Sequence, residues 1–445
     1  MTFKQGLLRA RSHLVFLTGL ACAFTLIIYL DALGARALPR QINAFELKKS
    51  VLAPPAPIAG ELSAEEQEAA QIAWRYFENN YQPTTGLVNS AHGYPSTTMW
   101  DQASYLLALI SAYRLELIDH EVFDQRVEML LLSLTKIELF DGKLPNKAYS
   151  TLTLEMTDYN NNPSAEGIGW SALDLGRLAT PLNILLWNYP EYTKQVQKVL
   201  EHWQFNEMLE DGYMIGTRVS KTGRTERVQE GRVGYEEYAS SALALLAFDA
   251  KRAAEFDDFM RFERILSVDV PVDIRDFKSY GAHNYVVSEP YILAGLEFGW
   301  SSDMQELAYR VYAVQEKRFE TTGQLTAVSE DNIDRAPYFV YNTVYTNGKA
   351  WNTISEDGED ASEFRSISSK AAFGWDAIYN NSYTDKLMEK VIDLNDPEKG
   401  FYSGWYEELN EPNKAITANS NGIILESLHY KKYGKLVGFH SSEDK

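Results

Sequence analysis

Two kinds of helix-forming stretch alternate along the chain. Six stretches are apolar or small on nearly all sides, which is typical of helices buried in a protein interior. They begin near Trp100, Gly167, Tyr235, Ser288, Ser362 and Ala415. Stretches with one polar face lie between them and predict outer helices that contact solvent. These cover residues 121–137, 190–203, 251–265, 301–319 and 383–394, after a first helix that begins at a Ser63/Glu66 capping box.

Connection length alternates in the same order. Each inner stretch passes to the next outer one through a short turn, whereas each return runs through a long segment such as 140–166, 205–234 or 321–361. Loops of this length in compact domains are usually functional or disordered, and their Gly, Tyr, Trp, Asn and acidic residues argue against disorder. We therefore predict an all-α fold, an (α/α)6 toroid with the long loops forming a funnel over the inner-helix N-termini. An irregular helical bundle or solenoid is the alternative.

The N-terminal region differs from the rest. Lys4, Arg9 and Arg11 precede the uncharged run Leu14–Leu30, which with its flanks is long enough to span a bilayer. The basic side should stay cytoplasmic, which predicts an inner-membrane, single-pass protein with its C-terminal domain in the periplasm. The predicted regions are a basic tail at 1–13, a transmembrane signal-anchor at 14–33, a proline-rich linker at 34–62, the helical domain at 63–438 and a polar tail at 439–445.

Two other interpretations of this region stay open, a cleaved signal peptide ending within Ala32–Ala37 and a lipid anchor on Cys22. Cys22 is the only cysteine, so the helical domain has no disulfide, cysteine-ligated zinc site or catalytic cysteine. The 445 residues are 45% hydrophobic and 13% aromatic, enough for a substantial core. A net charge of −20 argues against nucleic acid as a partner.

Motifs for several kinds of chemistry are missing from the sequence. The histidines show no metal-ligand spacing, and there is no G-x-S-x-G, phosphate-loop or dinucleotide-binding fingerprint. We therefore predict no cofactor and no metal, although calcium in the acidic loops stays open. The long loops instead carry carboxylates with aromatic neighbours, as in "QEGRVGYEEY", residues 229–238. Glycoside hydrolysis uses such groups, because one carboxylic acid protonates the leaving oxygen while a second carboxylate activates water or attacks the sugar.

The candidate residues follow from that pairing of acids and aromatic groups. Glu230 is the predicted general acid, with Asp158 or Glu330 directing water or acting as nucleophile, and Asp101 and Arg232 orienting the sugar or the carboxylates. The substrate-binding candidates are Trp100, Tyr159, Glu166, Trp170, Arg232, Tyr235, Glu236, Asp331, Trp351 and Trp405. By contrast, Asp174 and Arg177 are three residues apart on one helix, which favours a structural ion pair.

At these motifs the chain resembles a known group. The segments "TTMWDQASYLLALISA", "GIGWSALDLGRL", "QEGRVGYEEYA" and "TAVSEDNIDRAPYFVYNTVY" are similar to a bacterial envelope domain family of unknown function, over about Ala69 to Gly438. That family resembles the six-hairpin glycosidases, which include glucoamylase-like proteins and β-1,2-glucanases. The resemblance implies an (α/α)6 barrel that acts on glycans, and it does not assign the catalytic acids.

Composition, loop chemistry and resemblance together give one leading hypothesis, an envelope glycoside hydrolase or transglycosylase acting on a β-glucan-like polysaccharide. Its partners would be a polysaccharide or oligosaccharide and the inner membrane. The alternative is a non-catalytic polysaccharide-binding or assembly factor. A polysaccharide lyase is less favoured, because lyases neutralise uronates with basic residues and this chain is acidic.

Overall fold

The computed structural model describes residues 20–26, 47–50, 53–54, 57–220, 222–256 and 258–438, and the chain divides into two compact units, Met1–Leu47 and Lys48–Lys445. In the first unit, residues 20–26 are helical. Within the described residues, every helix is too short or too polar to cross a bilayer. The rest of the predicted anchor, 14–19 and 27–33, lies outside the described residues, as do the basic tail 1–13 and the polar tail 439–445.

Twelve α-helices occur in the described part of the second unit. They are α1 (Ala64–Asn80), α2 (Met99–Arg114), α3 (His120–Leu134), α4 (Ala172–Asn188), α5 (Thr193–His202), α6 (Tyr235–Leu245), α7 (Phe277–Tyr280), α8 (Glu289–Leu293), α9 (Ser302–Thr322), α10 (Ser369–Tyr379), α11 (Ser382–Val391) and α12 (Ala418–Tyr433). A π-helical segment, Ala294–Phe298, continues α8.

The even-numbered helices form a closed inner ring. Each of α2, α4, α6, α8, α10 and α12 contacts the next, and α12 contacts α2. The outer helices α3, α5, α9 and α11 each pack on the inner helix that precedes them, and α1 packs on α12. The predicted ring of inner helices is therefore present, and the predicted Ser63/Glu66 capping box at the start of α1 is confirmed.

The long loops contain short strands, so the prediction of an all-α fold was too narrow. The strands are β1 (Ser96–Thr98), β2 (Leu139–Phe140), β3 (Leu144–Pro145), β4 (Ala148–Ser150), β5 (Met156–Thr157), β6 (Leu209–Glu210), β7 (Tyr213–Val219), β8 (Thr225–Gln229), β9 (Met260–Ile265), β10 (Val268–Asp273), β11 (Glu330–Asn332), β12 (Phe339–Asn342), β13 (Tyr345–Thr346), β14 (Lys349–Ala350), β15 (Thr353–Ser355), β16 (Ser366–Ser368), β17 (Asn395–Asp396), β18 (Gly400–Phe401), β19 (Gly404–Tyr406) and β20 (Pro412–Asn413). They pair antiparallel in small sheets, of which β1-β4-β5, β6-β7-β8, β11-β12-β15 and β16-β19-β20 have three strands.

The predicted outer helix at 251–265 was wrong. Strands β9 and β10 form an antiparallel hairpin there, joined by Leu266 and Ser267, which both have positive φ (47° and 71°). A two-residue connection with positive φ at both positions matches the twist of paired strands. Along β10, valines alternate with Asp269 and Pro271, a period of two that suits a strand rather than a helix. Strand β10 packs on α9.

The middle of the predicted linker, residues 48–50, contacts an outer helix. The backbone N–H and hydroxyl of Ser50 both donate to the carboxylate of Glu306 on α9, at 2.7 Å each. One turn further along α9, Arg310 donates to the carbonyl oxygen of Lys48 at 2.6 Å. These contacts fix residues 48–50 against an outer helix of the second unit.

Candidate active site

A cleft of about 440 Å³ lies over the N-terminal ends of the inner helices. Every inner helix contributes to it from its first turn, through Trp100 and Asp101 of α2, Asp174 of α4, Tyr235 of α6, Glu289 of α8, Lys370 of α10 and Asn419 of α12. The long loops provide the other walls, including Tyr94, Tyr159, Tyr285, Glu330, Tyr338, Tyr341 and Glu356. The funnel expected from the loop lengths is therefore where the side chains of all six helices meet.

Asp101 is held by hydroxyl groups at the start of α2. Thr98 is the N-cap, and its hydroxyl oxygen accepts a hydrogen bond from the Asp101 backbone N–H. The Asp101 Oδ2 accepts from Ser90 Oγ at 2.5 Å and from Thr98 Oγ1 at 2.8 Å. Burial raises the pKa of Asp101, although these hydroxyls and the charge of Arg177 oppose the increase.

Asp174 occupies the equivalent first-turn position of α4. Ser171 is the N-cap, accepts from the Asp174 backbone N–H, and donates its hydroxyl proton to Asp174 Oδ1 at 2.8 Å. Burial, together with the nearby carboxylate of Glu230, raises the pKa of Asp174 to about 7. Asp174 is thus a carboxyl group that carries a proton for much of the time near neutral pH.

Lys370 is the cation of the cleft, and it lies between carboxylates. Its ammonium pairs with Glu289 and is 3.6 Å from Asp331 Oδ1. Burial disfavours the ammonium, but Glu289, Asp331 and Glu330 together raise the pKa of Lys370 above its ordinary value. Asn419 Nδ2 donates to both Glu289 oxygens at 3.0 Å, so Glu289 is fixed from two sides.

Glu330 and Asp331 show how strand geometry divides neighbouring acids. Successive side chains of a strand point to opposite faces, and on β11 Glu330 lines the cleft while Asp331 is buried. Burial raises the pKa of Glu330 to about 7, against the opposing charge of Lys370. Burial raises the pKa of Asp331 to about 8. The hydroxyl of Ser368 donates a hydrogen bond to Asp331 Oδ1 at 3.1 Å.

Aromatic rings form one continuous wall of the cleft. Tyr285 and Tyr341 stack with centroids 4.4 Å apart and planes 15° apart. Tyr235 meets Tyr285 edge-on at 6.1 Å and Trp100 at 5.6 Å. Trp100 also donates its indole N–H to Asn419 Oδ1 at 3.3 Å, which joins the wall to the Glu289 cluster.

A buried ion cluster lies inside the ring of helices. Arg177 of α4 pairs with Glu297 of the π-helical segment and Glu426 of α12, at 3.2 Å each. It donates to Tyr238 Oη at 3.0 Å, and its guanidinium stands 4.8 Å from the centroid of the Trp100 ring. Arg177 thus pairs with these two glutamates, whereas Asp174, its predicted partner, lines the cleft.

Five of the residues selected from sequence line the cleft: Trp100, Asp101, Tyr159, Tyr235 and Glu330. Glu230 lies next to it, and its Oε2 accepts from the backbone N–H of Ala172, the first residue of α4. Gly216 leaves room for this carboxylate, because a Cβ there would come within 2.6 Å of Glu230 Oε2. Glu230 is therefore not among the lining residues, but it contacts the N-terminus of α4 and its charge raises the pKa of Asp174.

Arg232 and Glu236 are buried and hold the loop before α6. Arg232 donates to Gln229 Oε1 and to the carbonyl oxygen of Ala282, both at 2.9 Å. Glu236 pairs with Arg275 at 2.8 Å. Neither side chain is among the residues that line the cleft.

The other candidates also lie outside the cleft lining. The Asp158 carboxylate accepts hydrogen bonds from Asn160 and Asn162 of its own loop, at 2.9–3.0 Å. Glu166 is exposed, and Trp170 is buried and donates to the carbonyl oxygen of Ile215 at 2.9 Å. The guanidinium of Arg318 lies over the Trp351 ring, 4.9 Å from its centroid. The ammonium of Lys390 lies over the Trp405 ring, 3.2 Å from its centroid.

The comparisons with known proteins agree with this architecture. Residues 68–434 match the model of DUF3131, described as a protein of unknown function. The chain belongs to the DUF3131 family. A search of curated proteins found no match.

Solved structures similar to this family member show the same fold. An endo-β-1,2-glucanase from Chitinophaga pinensis, in complex with sophorotriose and glucose, has a TM-score of 0.57 at 12% identity, with 84% of this chain and 94% of that chain covered. An endo-β-1,2-glucanase from Talaromyces funiculosus, in complex with sophorose, has a TM-score of 0.57 at 11% identity, with 84% of both chains covered. A candidate glucoamylase from Bacteroides fragilis has a TM-score of 0.58 at 12% identity, with 87% and 94% covered.

Four of the cleft residues that were not selected from sequence are polar and lie in the first turns of inner helices: Asp174, Glu289, Lys370 and Asn419. A shared signal was available, because each lies within the first turn after a Ser or Thr N-cap, at 171, 288, 368 and 417. A polar residue there, in an otherwise apolar helix, faces the funnel.

Within the described residues, no group of three or more His, Cys, Asp or Glu is placed to hold a metal ion.

Proposed function

We propose that this DUF3131 protein is a glycoside hydrolase or transglycosylase that acts on a β-glucan-like polysaccharide of the bacterial envelope. One observation carries the proposal: carboxylates from the inner helices and long loops, among them Asp174 and Glu330, meet at a continuous aromatic wall. Glycoside cleavage uses one carboxylic acid as proton donor and a second, ionised carboxylate as base or nucleophile.

A neutral glucan suits the charge of the cleft. Its lining contains the carboxyl groups of Asp101, Asp174, Glu289, Glu330 and Glu356 against the single ammonium of Lys370, which is already paired. An anionic polysaccharide would meet like charge here. The similar glucanase structures contain sophorose and sophorotriose, which supports β-1,2-linked glucan as the first substrate to test.

The charged groups around the two acids differ, and this difference supports different roles for them. The groups near Asp174 include the carboxylates of Glu230 and Asp101, which favour its protonated form. The cations Lys370 and Arg177 act on Glu330 and favour its ionised form. We therefore assign Asp174 as the proton donor to the leaving oxygen, and Glu330 as the carboxylate that activates water or attacks the sugar.

This assignment replaces Glu230 as proton donor while keeping a role for it. The Glu230 carboxylate accepts a backbone hydrogen bond from Ala172 and is absent from the cleft lining. Its charge nevertheless raises the pKa of Asp174. Glu230 is thus a positioning residue, which keeps the donor protonated.

The test is incubation of the full-length chain with glucans of defined linkage, followed by reducing-end assay and product mass. We expect Asp174→Asn and Glu330→Gln each to abolish product formation with an unchanged circular dichroism spectrum. Glu166→Gln is the control, because Glu166 is exposed and outside the cleft lining. Full activity in both cleft variants would refute the assignment. Binding without turnover by the wild-type chain would favour the non-catalytic binding or assembly role.

We also propose that the protein is anchored in the inner membrane through Leu14–Leu30, with the helical domain in the periplasm. The apolar length of this run and the basic residues Lys4, Arg9 and Arg11 before it support this topology. A C-terminal alkaline phosphatase fusion should be active and should sediment with membranes. An inactive fusion, or one released in soluble form, would contradict the anchor.

A further inference from the structure

We propose that Tyr94, Tyr159 and Tyr338 are stacking platforms for sugar units on either side of the catalytic carboxylates, so that the protein binds an internal stretch of a long glucan chain. We call these three residues the outer tyrosines. The inference rests on the proposed glycan activity and extends it from the reacting bond to the length and position of the substrate chain.

Exposure sets the outer tyrosines apart from the other aromatic residues of the cleft. Tyr94, Tyr159 and Tyr338 are 40%, 55% and 65% exposed, and all three line the cleft. By contrast, Tyr235 is buried within the aromatic wall. Single exposed aromatic residues are common, whereas several around one concave site are typical of a ligand-binding surface. Sugar rings present flat C–H faces, which pack on aromatic rings.

The backbone of Tyr338 is held in an unusual conformation next to the cleft. Its φ of 68° lies in the left-handed region, which is unusual for a bulky residue and a reason to look for function. Its N–H donates to the carbonyl oxygen of Arg335 at 2.7 Å, and its carbonyl oxygen accepts from Ile333 N–H at 3.0 Å. The main chain that carries the exposed ring is therefore held in a closed turn, so it does not have to be ordered when a sugar stacks on the ring.

The outer tyrosines stand on two separate sheets. Tyr94 lies two residues before β1 and Tyr159 two residues after β5, and β1, β4 and β5 form one sheet. Tyr338 directly precedes β12 of the β11-β12-β15 sheet. The first sheet leads into α2 and α4 and the second precedes α10, which is opposite α4 in the ring. Platforms on both sides of the acids suit a chain that continues in both directions.

The test compares a short and a long substrate on full-length variants. For Tyr159→Ala and Tyr338→Ala, we expect KM for linear β-1,2-glucan to rise about five- to tenfold with little change in kcat, because only binding is lost. The constants for sophorotriose should stay within about twofold of wild type, since this trisaccharide is too short to reach past the carboxylates to both platforms. Tyr→Phe variants keep the ring and should restore polymer binding.

Tyr433→Ala is the matched control. Tyr433 is 39% exposed but ends α12, at the opposite end of an inner helix from the cleft. Its removal should leave both substrates unaffected. A polymer KM within about twofold of wild type in the Tyr159→Ala/Tyr338→Ala double variant would overturn the proposal, as would an equal loss on the trisaccharide.

Calorimetric binding to the Asp174→Asn variant separates this inference from the catalytic one. If the wild type cleaves no glucan, tighter binding of polymer than of trisaccharide that depends on the outer tyrosines still supports the platforms and removes only the catalytic role. If the wild type cleaves the polymer and the tyrosine variants bind it as tightly as their parent, the platforms fail and the catalytic role stands. Neither cleavage nor binding of any glucan by the wild type would overturn both.

Discussion

Replacing Arg177 with methionine tests the buried ion cluster under the cleft. Arg177, Glu297 and Glu426 are all fully buried, and the arginine is the cation that pairs with both glutamates at 3.2 Å. Methionine fills similar space with an apolar chain and leaves two carboxylates without their counterion. Trp100 also loses the guanidinium beneath its ring.

The expected cost is large on the scale of folding stability. Removing one partner of a buried ion pair costs about 3–5 kcal/mol, because the remaining charge is left unpaired in a poorly solvating interior. Domains are stable by only about 5–15 kcal/mol in total. We expect Arg177→Met to lower the free energy of unfolding by at least about 3 kcal/mol near neutral pH. The surface control Arg264→Met, which breaks an exposed pair with Asp269 at 3.0 Å, should cost less than about 1 kcal/mol.

The loss should depend on pH in a defined direction. Burial raises the pKa values of Glu297 and Glu426 in the folded protein, and Arg177 opposes the rise. Without Arg177 both values rise further. A carboxyl group whose pKa is higher in the folded protein than in the unfolded chain contributes stability that is fully present below the unfolded pKa of about 4.3. That contribution is lost as pH rises through the folded pKa. The destabilisation should therefore be smallest near about pH 4 and largest near neutrality.

Urea unfolding of the full-length chain, followed by tryptophan fluorescence at acidic and neutral pH, measures these differences. A triple variant, Arg177→Met/Glu297→Gln/Glu426→Gln, removes the unpaired charges and should recover most of the stability. A loss that is the same at both pH values would refute the reasoning. So would a triple variant that is no more stable than the single one.

Further predictions concern the proton donor and its neighbours. The kcat/KM on glucan should fall as pH rises through about 7, because the proposed donor Asp174 has its pKa raised to about 7; a rate that keeps rising above that value contradicts the role. Glu230→Gln removes a charge that raises this pKa, so the alkaline limb of the profile should move to lower pH. Gly216→Ala places a Cβ within 2.6 Å of Glu230 Oε2 and should also lower kcat/KM, whereas Gly60→Ala, which has open space around its Cβ, should have no effect.

The ring of helices could be predicted from the sequence because helices that are buried on all sides have apolar or small residues on all sides. Helices apolar on all sides have to be inside, and their alternation with amphipathic stretches requires the long loops to share one end. The hairpin at 260–273 could not be predicted in this way. Phe256, Phe259 and Met260 have helical spacing, while the valines of β10 alternate, and packing of β10 on α9 decides between the two patterns.

The candidate site was predictable only where local sequence determines the direction of a side chain. Asp101 was found because it begins an inner helix beside Trp100. The N-cap at Ser368 could have indicated that Lys370 faces the funnel, but its ion pair could not be predicted, because its partner Glu289 comes from another inner helix and meets it only when the ring closes. Glu230 was selected because it lies in a loop, yet its carboxylate contacts Ala172, 58 residues earlier in the chain.

Helix N-termini and burial act in opposite directions on the cleft acids. The positive end of a helix dipole favours an ionised carboxylate in the first turn, which alone would keep Asp174 deprotonated at neutral pH. Burial and the neighbouring carboxylates outweigh the dipole, since the pKa of Asp174 is raised to about 7. A glucan chain that fills the cleft would displace water and strengthen the burial contribution further. The alkaline limb of kcat, which reports the bound enzyme, should therefore lie at higher pH than that of kcat/KM, which reports the free enzyme.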